Sequence, residues 1–286
     1  IKNPSIDGIT KIKEIHLNLI KELGIIDTKN ILLKIKEIEE HINLNKKNSE
    51  LHSLLIASGE FLSSIIINQY FTELGANNIL IDSRQVIHSS NNNNHIGELT
   101  TNYSKFKILS DNYQVILMQG FVAGTSDNKT HLLTRGGSDT SATLIANMLS
   151  CENVFIYTDV NGIYSADPNK IKNAKIIKNI NYEMAQELSA MGAQVLHPYS
   201  IKPAQEKNIK IIIKNTYNLD NIGTIINNNI NNQIAITNLS NVTLFHITSL
   251  NMWNNYGFVY DIFKDFSESN IDINIITTSQ FTISCT

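Results

Sequence analysis

Residues 134–142 read Thr-Arg-Gly-Gly-Ser-Asp-Thr-Ser-Ala, set between the apolar run Val115–Met118 (VILM) and the run TSATLIANML at 140–149. The first run has the length and content of a buried strand, and the second reads as the helix that follows the glycines. Gly136 and Gly137 let the backbone approach a ligand and adopt positive φ without penalty. A helix beginning there presents free N–H groups and the positive end of its dipole, which suits an anion. Arg135 adds a fork of donors matched to a carboxylate or phosphate. Taken alone, GGSD is equally a tight turn in which Ser138 or Asp139 caps a helix.

Working outward, the pattern is helical first. Ile12, Ile15, Leu19, Ile20 and Leu23 share one face of a helix, as do Ile31, Leu32, Ile35, Ile38 and Ile42, with a join near Gly24. Residues 51–74 read as a longer helix interrupted at Ser58-Gly59-Glu60, followed by a short strand at 79–81 and a polar loop at 89–94. Strands at Val115–Met118, 154–157 and 209–213 then alternate with helices at 140–149, 182–191 and 199–207. Such apolar strands predict helices on both faces, hence a three-layer α/β/α domain over residues 1–227. An Asn-rich stretch opens a linker at 228–240. Beyond it, a strand at 243–248, a helix at 257–266 and a strand at 271–277 predict an incomplete βαβ domain over 241–286.

Composition narrows the function classes. The 286 residues suffice for one large domain and part of another, and 42% hydrophobic content supports a sizeable core. A net charge of −3 argues against binding driven by nucleic-acid phosphates. Asn and Ile are abundant, which reads as codon bias rather than chemistry. Two unpaired-looking cysteines, Cys151 and Cys285, fit a reducing compartment and no disulfide or zinc scaffold. No apolar run reads as a membrane span. The missing initiator Met predicts a piece of a longer protein.

A second glycine-bearing loop, TDVNGIYSADP at 158–168, follows the strand VFIY and carries hydroxyls and carboxylates suited to a ribose or a hydrated magnesium. A third, MGAQVLHP at 191–198, stops one helix at Gly192 and restarts another at Pro198. TRGGSDTSA, YTDVNGIYSADP, AMGAQVLHP and KNTYNLDNIGTII, in this order, closely resemble aspartate kinases of the amino-acid-kinase superfamily. The segment HITSLNMWNNYGFVYDIFKDFSESNIDINIITTSQ resembles the first ACT domain of the lysine-sensitive, single-function type. Each motif is modest alone; the ordered set is specific.

The resemblance implies a carbamate-kinase-like fold and transfer of the γ-phosphoryl of ATP, carried with Mg2+, to the side-chain carboxylate of L-aspartate. That step opens lysine, threonine and methionine synthesis. Positioning and charge neutralisation carry such chemistry, since the acceptor carboxylate is already a nucleophile. By resemblance, Arg135 grips a carboxylate of aspartate and Glu60 takes its ammonium. Asp139 is the second catalytic residue and orients cationic groups at the reaction centre. Gly136, Gly137 and Ser138 border the phosphates. Thr158, Asp159, Tyr164, Asn169, Gln194 and Val195 belong to the nucleotide site. Met252, Gly257, Phe258, Asp272, Thr278 and Ser279 are the effector residues, for lysine or threonine. A homodimer or higher oligomer through ACT domains, a cytoplasmic or plastid location, and neither nucleic acid nor membrane as partner complete the expectation.

Departures from the family pattern qualify it. Nothing matches the opening KFGGTS-like strand whose lysine stabilises the moving phosphoryl group, so roughly sixty upstream residues are expected to precede this chain. On that ground the isolated chain is expected to be inactive. Gln194 stands where Lys is frequent, Asn169 where Arg is common with Lys170 beside it, and Gln280 where Glu is usual. These departures keep open a degenerate amino-acid-binding regulator, and another amino-acid kinase is the further alternative. Arg84 is expected to pair locally with Asp82, His197 to shape a turn before Pro198, and Asp167 to shape the turn at Pro168.

Overall fold

The computed structural model describes residues 6–43, 49–90, 98–127, 129–133, 135–193, 195–229 and 234–286. It divides into two compact units, Ile1–Thr237 and Asn238–Thr286. The first runs past Asn227: Ala235 packs on its core, and the Ile236 N–H donates to the Ser165 carbonyl at 2.8 Å.

The opening helices are α1 (Ile6–Leu23) and α2 (Lys29–Asn43). Between them Gly24 takes φ 69°, and the Ile25 N–H returns to the Ile20 carbonyl at 3.1 Å, a glycine-terminated helix end. Ile20, Ile25, Ile31, Ile35 and Ile38 bury against Leu55, Leu62 and Ile66 of α3 (Ser49–Glu73). α3 is continuous, without the expected break at Ser58-Gly59-Glu60. Burial of Leu55, Ala57, Phe61 and Leu62 outweighs the roughly 1 kcal/mol that a glycine costs inside a helix. Within α3, His52–Glu73 is long and apolar enough to cross a membrane, contrary to the sequence reading. Those buried side chains mark it as the core helix of this unit.

β1 (Asn78–Ile81) is followed by β2 (Ile87–Ser89), β3 (Leu99–Thr101) and α4 (Tyr103–Ser110). Of the polar loop expected at 89–94, Ser89 belongs to β2 and residues 91–94 lie outside the described residues. β4 (Val115–Met118) pairs in parallel with β1. β5 (Val122–Thr125) and β6 (Thr130–Leu132) join the first pair of short strands in a sheet ordered β3-β2-β5-β6. Their sequences, VAGT and THL, are short and lack an alternating apolar pattern, so cross-strand pairing rather than local preference makes them strands.

Next come α5 (Gly137–Leu149), β7 (Asn153–Thr158), β8 (Asn179–Asn181), α6 (Tyr182–Ala190) and α7 (Pro198–Glu206). β9 (Lys210–Asn215) and β10 (Thr224–Asn227) complete a mixed sheet ordered β7-β9-β10-β8. Val154, Ile156, Ile211, Ile213 and Ile226 pack with Ile180, Tyr182, Leu188 and Ile201 of the flanking elements. β7 departs from the expectation of two covered faces. Val154 and Ile156 are buried, whereas Phe155 and Tyr157 are 51% and 56% exposed on the other face.

The second unit contains β11 (Phe245–Thr248), α8 (Phe258–Glu268), β12 (Ile276–Thr278) and β13 (Thr282–Cys285). Its sheet order is β11-β13-β12, antiparallel throughout. The predicted βαβ unit is therefore βαββ, with β13 inserted centrally and its Ile283 and Cys285 buried.

Candidate functional site

The glycine turn begins at the end of β6, not of β4, because the β5–β6 hairpin lies between. β4 still reaches it from below. A Cβ on Gly120, just beyond β4, would lie 3.0 Å from the Ser138 Cβ and Oγ. Phe121 adopts φ 67°, unusual for a bulky residue, and its N–H donates to the Ser141 Oγ at 3.1 Å. A Cβ on Gly137 would meet Phe121 Cδ2 and Leu133 Cβ, each at 2.7 Å. Gly120 and Phe121 thus pack against the first turn of α5. Sequence reasoning missed them; the signal available was a glycine two residues beyond an apolar strand.

Gly136 is the N-cap of α5 with φ 73°, and no side chain caps the helix. The capped-helix alternative for Ser138 or Asp139 therefore fails: both lie inside the first turn, and no side chain among the described residues accepts from its N–H groups. Arg135 is exposed and makes no hydrogen bond or ion pair among the described residues. Asp139 is half-buried, and desolvation pushes its carboxyl up to about 6 from 3.8. Burial therefore outweighs the favourable helix N-terminus here. Glu60 is also half-buried on α3, and desolvation raises its pKa. No hydrogen bond or ion pair among the described residues joins Glu60 to Arg135.

The second loop gathers around Asn215, the last residue of β9, which pairs in register with Thr158 at the end of β7. The Asn215 amide donates to Asn161 Oδ1 at 2.8 Å and to the Asp159 carbonyl at 3.4 Å. Asn161 in turn donates to the Tyr164 hydroxyl at 3.5 Å, and the Thr158 hydroxyl to Asp159 Oδ1 at 3.2 Å. The structure brings Thr158, Asp159 and Tyr164 together through two asparagines that no site reading had included. Asn169 is exposed beyond this cluster, its N–H held by Asp167 Oδ1 at 2.9 Å. That contact is the turn role expected of Asp167.

In the third loop, Gln194 lies outside the described residues. Val195 is half-buried and packs against the core beneath the sheet. His197 is the N-cap of α7 and lies directly on Gly136, so the third loop meets the first. Asp82 and Arg84 form the expected local pair at a short distance, with Arg84 also donating to Thr130 Oγ1 at 3.0 Å. No group of three or more potential metal ligands occurs among the described residues.

In the second unit, Trp253 stacks on Phe281 with centroids 5.7 Å apart, and the Ser249 N–H donates to the Phe281 carbonyl at 2.9 Å. These contacts join the 249–253 segment to the turn at 279–282. Thr278 is exposed at the end of β12, Gly257 and Phe258 start α8, and Asp272 is exposed.

With this geometry established, the amino acid kinase family pattern matches residues 9–215. The chain belongs to the amino acid kinase family. Within that family it is 33% identical over 274 residues to the bifunctional aspartokinase/homoserine dehydrogenase of Buchnera aphidicola, covering 93% of this chain and 33% of that protein. It is 31% identical over 296 residues to aspartokinase 1, chloroplastic, of Arabidopsis thaliana, covering 98% and 52%. The chain spans about half or less of the length of these curated relatives. Among solved structures, Escherichia coli aspartokinase III in complex with aspartate and ADP superposes with a TM-score of 0.77 at 25% identity, over 99% of this chain and 67% of that one. The same enzyme with lysine and aspartate gives 0.76 at 26%, over the same shares. The mixed α/β fold of this family member is that of the aspartokinases.

Proposed function

We propose that this chain carries most of the catalytic domain of an aspartate kinase, transferring the γ-phosphoryl of ATP to the side-chain carboxylate of L-aspartate. The observation that carries the reading is Arg135, exposed and without an ion pair among the described residues, beside a glycine-led helix N-terminus. A guanidinium fork fits a carboxylate, and the free N–H groups of the turn fit phosphate oxygens. The glycines are fitted to this role, since a side chain on Gly136 or Gly137 would collide with neighbouring atoms. Thr158, Asp159 and Tyr164 suit the nucleoside part of ATP, with Mg2+ arriving on the nucleotide. Glu60 takes the substrate ammonium, and Asp139 orients cationic groups around the transfer.

The second unit acts as a regulatory ACT segment for an end-product amino acid, lysine first, with Met252, Gly257, Phe258, Asp272, Thr278 and Ser279 as its effector residues. Likeness to an aspartokinase whose solved form holds lysine supports this assignment. Assembly into a homo-oligomer through that segment and a cytoplasmic or plastid location belong to the same proposal.

The test uses the full-length protein. ADP release and hydroxamate trapping of the acyl phosphate are measured with L-aspartate, N-acetylglutamate and UMP. Aspartate-dependent turnover is expected. Turnover on either other acceptor with none on aspartate would overturn the substrate assignment. Loss of activity on all acceptors with intact amino-acid binding would favour a degenerate regulator.

A further inference from the structure

Arg135 needs something to aim it. It is exposed, lies beside a glycine in the left-handed region, and has no ion pair among the described residues to hold its direction. A long flexible side chain on such a turn samples many rotamers, and ordering it on binding costs affinity. The neighbour that limits this freedom comes from a different loop. A Cβ built on Gly136 falls 2.1 Å from the His197 Cβ, 3.0 Å from its Cγ and 3.4 Å from its Cα. The backbone of the turn therefore rests on the stem of His197, at a distance only glycine permits.

His197 is itself fixed. Its Nδ1 accepts from the Tyr199 N–H at 3.4 Å, and its carbonyl accepts from the Ser200 N–H at 2.9 Å and hydroxyl at 2.7 Å. Ser200 is buried, and the imidazole lies against the Tyr199 ring with centroids 5.2 Å apart and planes at 31°. Burial first, and the nearby Arg135 charge second, lower the imidazole pKa. Both effects favour a neutral ring beside the guanidinium.

We propose that His197 is a positioning residue: anchored on the first turn of α7, it holds the Arg135-Gly136 turn in place so that the guanidinium is set for the substrate carboxylate. The substrate part rests on the aspartate kinase reading; the mechanical part does not.

In the full-length protein, His197→Gly removes the Cβ and Cγ on which the turn rests and remains a tolerated helix N-cap. The variant is expected to keep its Tm, raise the L-aspartate KM about tenfold, and leave the ATP KM within about twofold. In an Arg135→Lys background the same change should alter the aspartate KM less than about twofold, because the two residues act as a unit. Hydrogen exchange at the amides of residues 136–138 should accelerate about tenfold in His197→Gly. Equal rises in both KM values, an additive effect in the Arg135→Lys background, or unchanged exchange would each overturn the proposal.

Should the wild-type protein not use aspartate, the functional reading fails while the exchange measurement still decides the positioning. If His197→Gly does not fold, His197→Phe keeps the Cβ–Cγ stem under Gly136 and loses the Nδ1 cap. Positioning then predicts a lower Tm with a near wild-type aspartate KM, and a raised KM would count against it.

Discussion

The buried hydroxyl of Thr224 joins Ile163 to the far side of the sheet: it accepts from the Ile163 N–H at 2.9 Å and donates to the Ile177 carbonyl at 2.7 Å. Thr224 is fully buried, and a Cβ on the adjacent Gly162 would come within 2.6 Å of its Oγ1. One side chain thus pins both ends of the segment that carries Tyr164 and Asp167. Thr224→Val keeps the shape and removes both hydrogen bonds, leaving two buried backbone groups unsatisfied. A loss of about 1–3 kcal/mol in unfolding free energy is expected by urea denaturation. A change near zero would mean that water replaces the hydroxyl.

Arg135 is exposed and makes no hydrogen bond or ion pair among the described residues. Arg135→Ala in the full-length protein should leave stability within about 0.5 kcal/mol. The same change should weaken aspartate binding about 10- to 100-fold, as loss of a charge-assisted contact does. Steady-state kinetics beside a thermal melt test both halves. A large fall in Tm would show that Arg135 is structural.

Asp139 makes a pH prediction with a definite sign. Its carboxyl titrates at about 6 in the folded state, against 3.8 in the ordinary case. The raised value means that the folded form favours the protonated acid. The stability this contributes is fully present below about pH 4 and is lost as pH rises through about 6. Asp139→Asn, which stays neutral, should therefore gain stability over the wild type between pH 4 and about 7, and match it below. Melting curves of the two proteins across pH 3.5–8 provide the comparison, with ~0.5 pH steps sufficient to see the crossover. Parallel curves would refute the elevated value.

Gly59 offers a stability gain. It sits in the uninterrupted α3, and a Cβ there would meet nothing within 4 Å. Gly59→Ala should stabilise the protein by about 0.5–1 kcal/mol through the unfolded chain. Destabilisation in the same urea titration would mean that the helix bends at this point in solution.

Much of this was legible locally. The helix end at Gly24 and the apolar strands Val115–Met118 and Asn153–Thr158 follow from residue period and glycine placement alone. The glycine turn and the 158–168 loop were likewise visible as sequence motifs. Gly59 was misread for the opposite reason. Its propensity signals a break, yet Leu55, Ala57, Phe61 and Leu62 bury enough surface to keep the helix whole. The short strands β5 and β6 carry no pattern of their own and exist through pairing with each other and with β2.

The sequence by itself determined which residues could bind an anion: Arg135, Gly136, Gly137 and Ser138, adjacent along the chain at the start of a helix. Only the tertiary structure decided what holds them. His197 beneath Gly136, Gly120 against Ser138, Asn215 at the centre of the second loop and Thr224 under Ile163 all come from distant parts of the chain. Local preferences act over a few residues, so motifs can be read in order. Contacts between remote loops depend on how strands and helices pack, and no spacing along the chain encodes them.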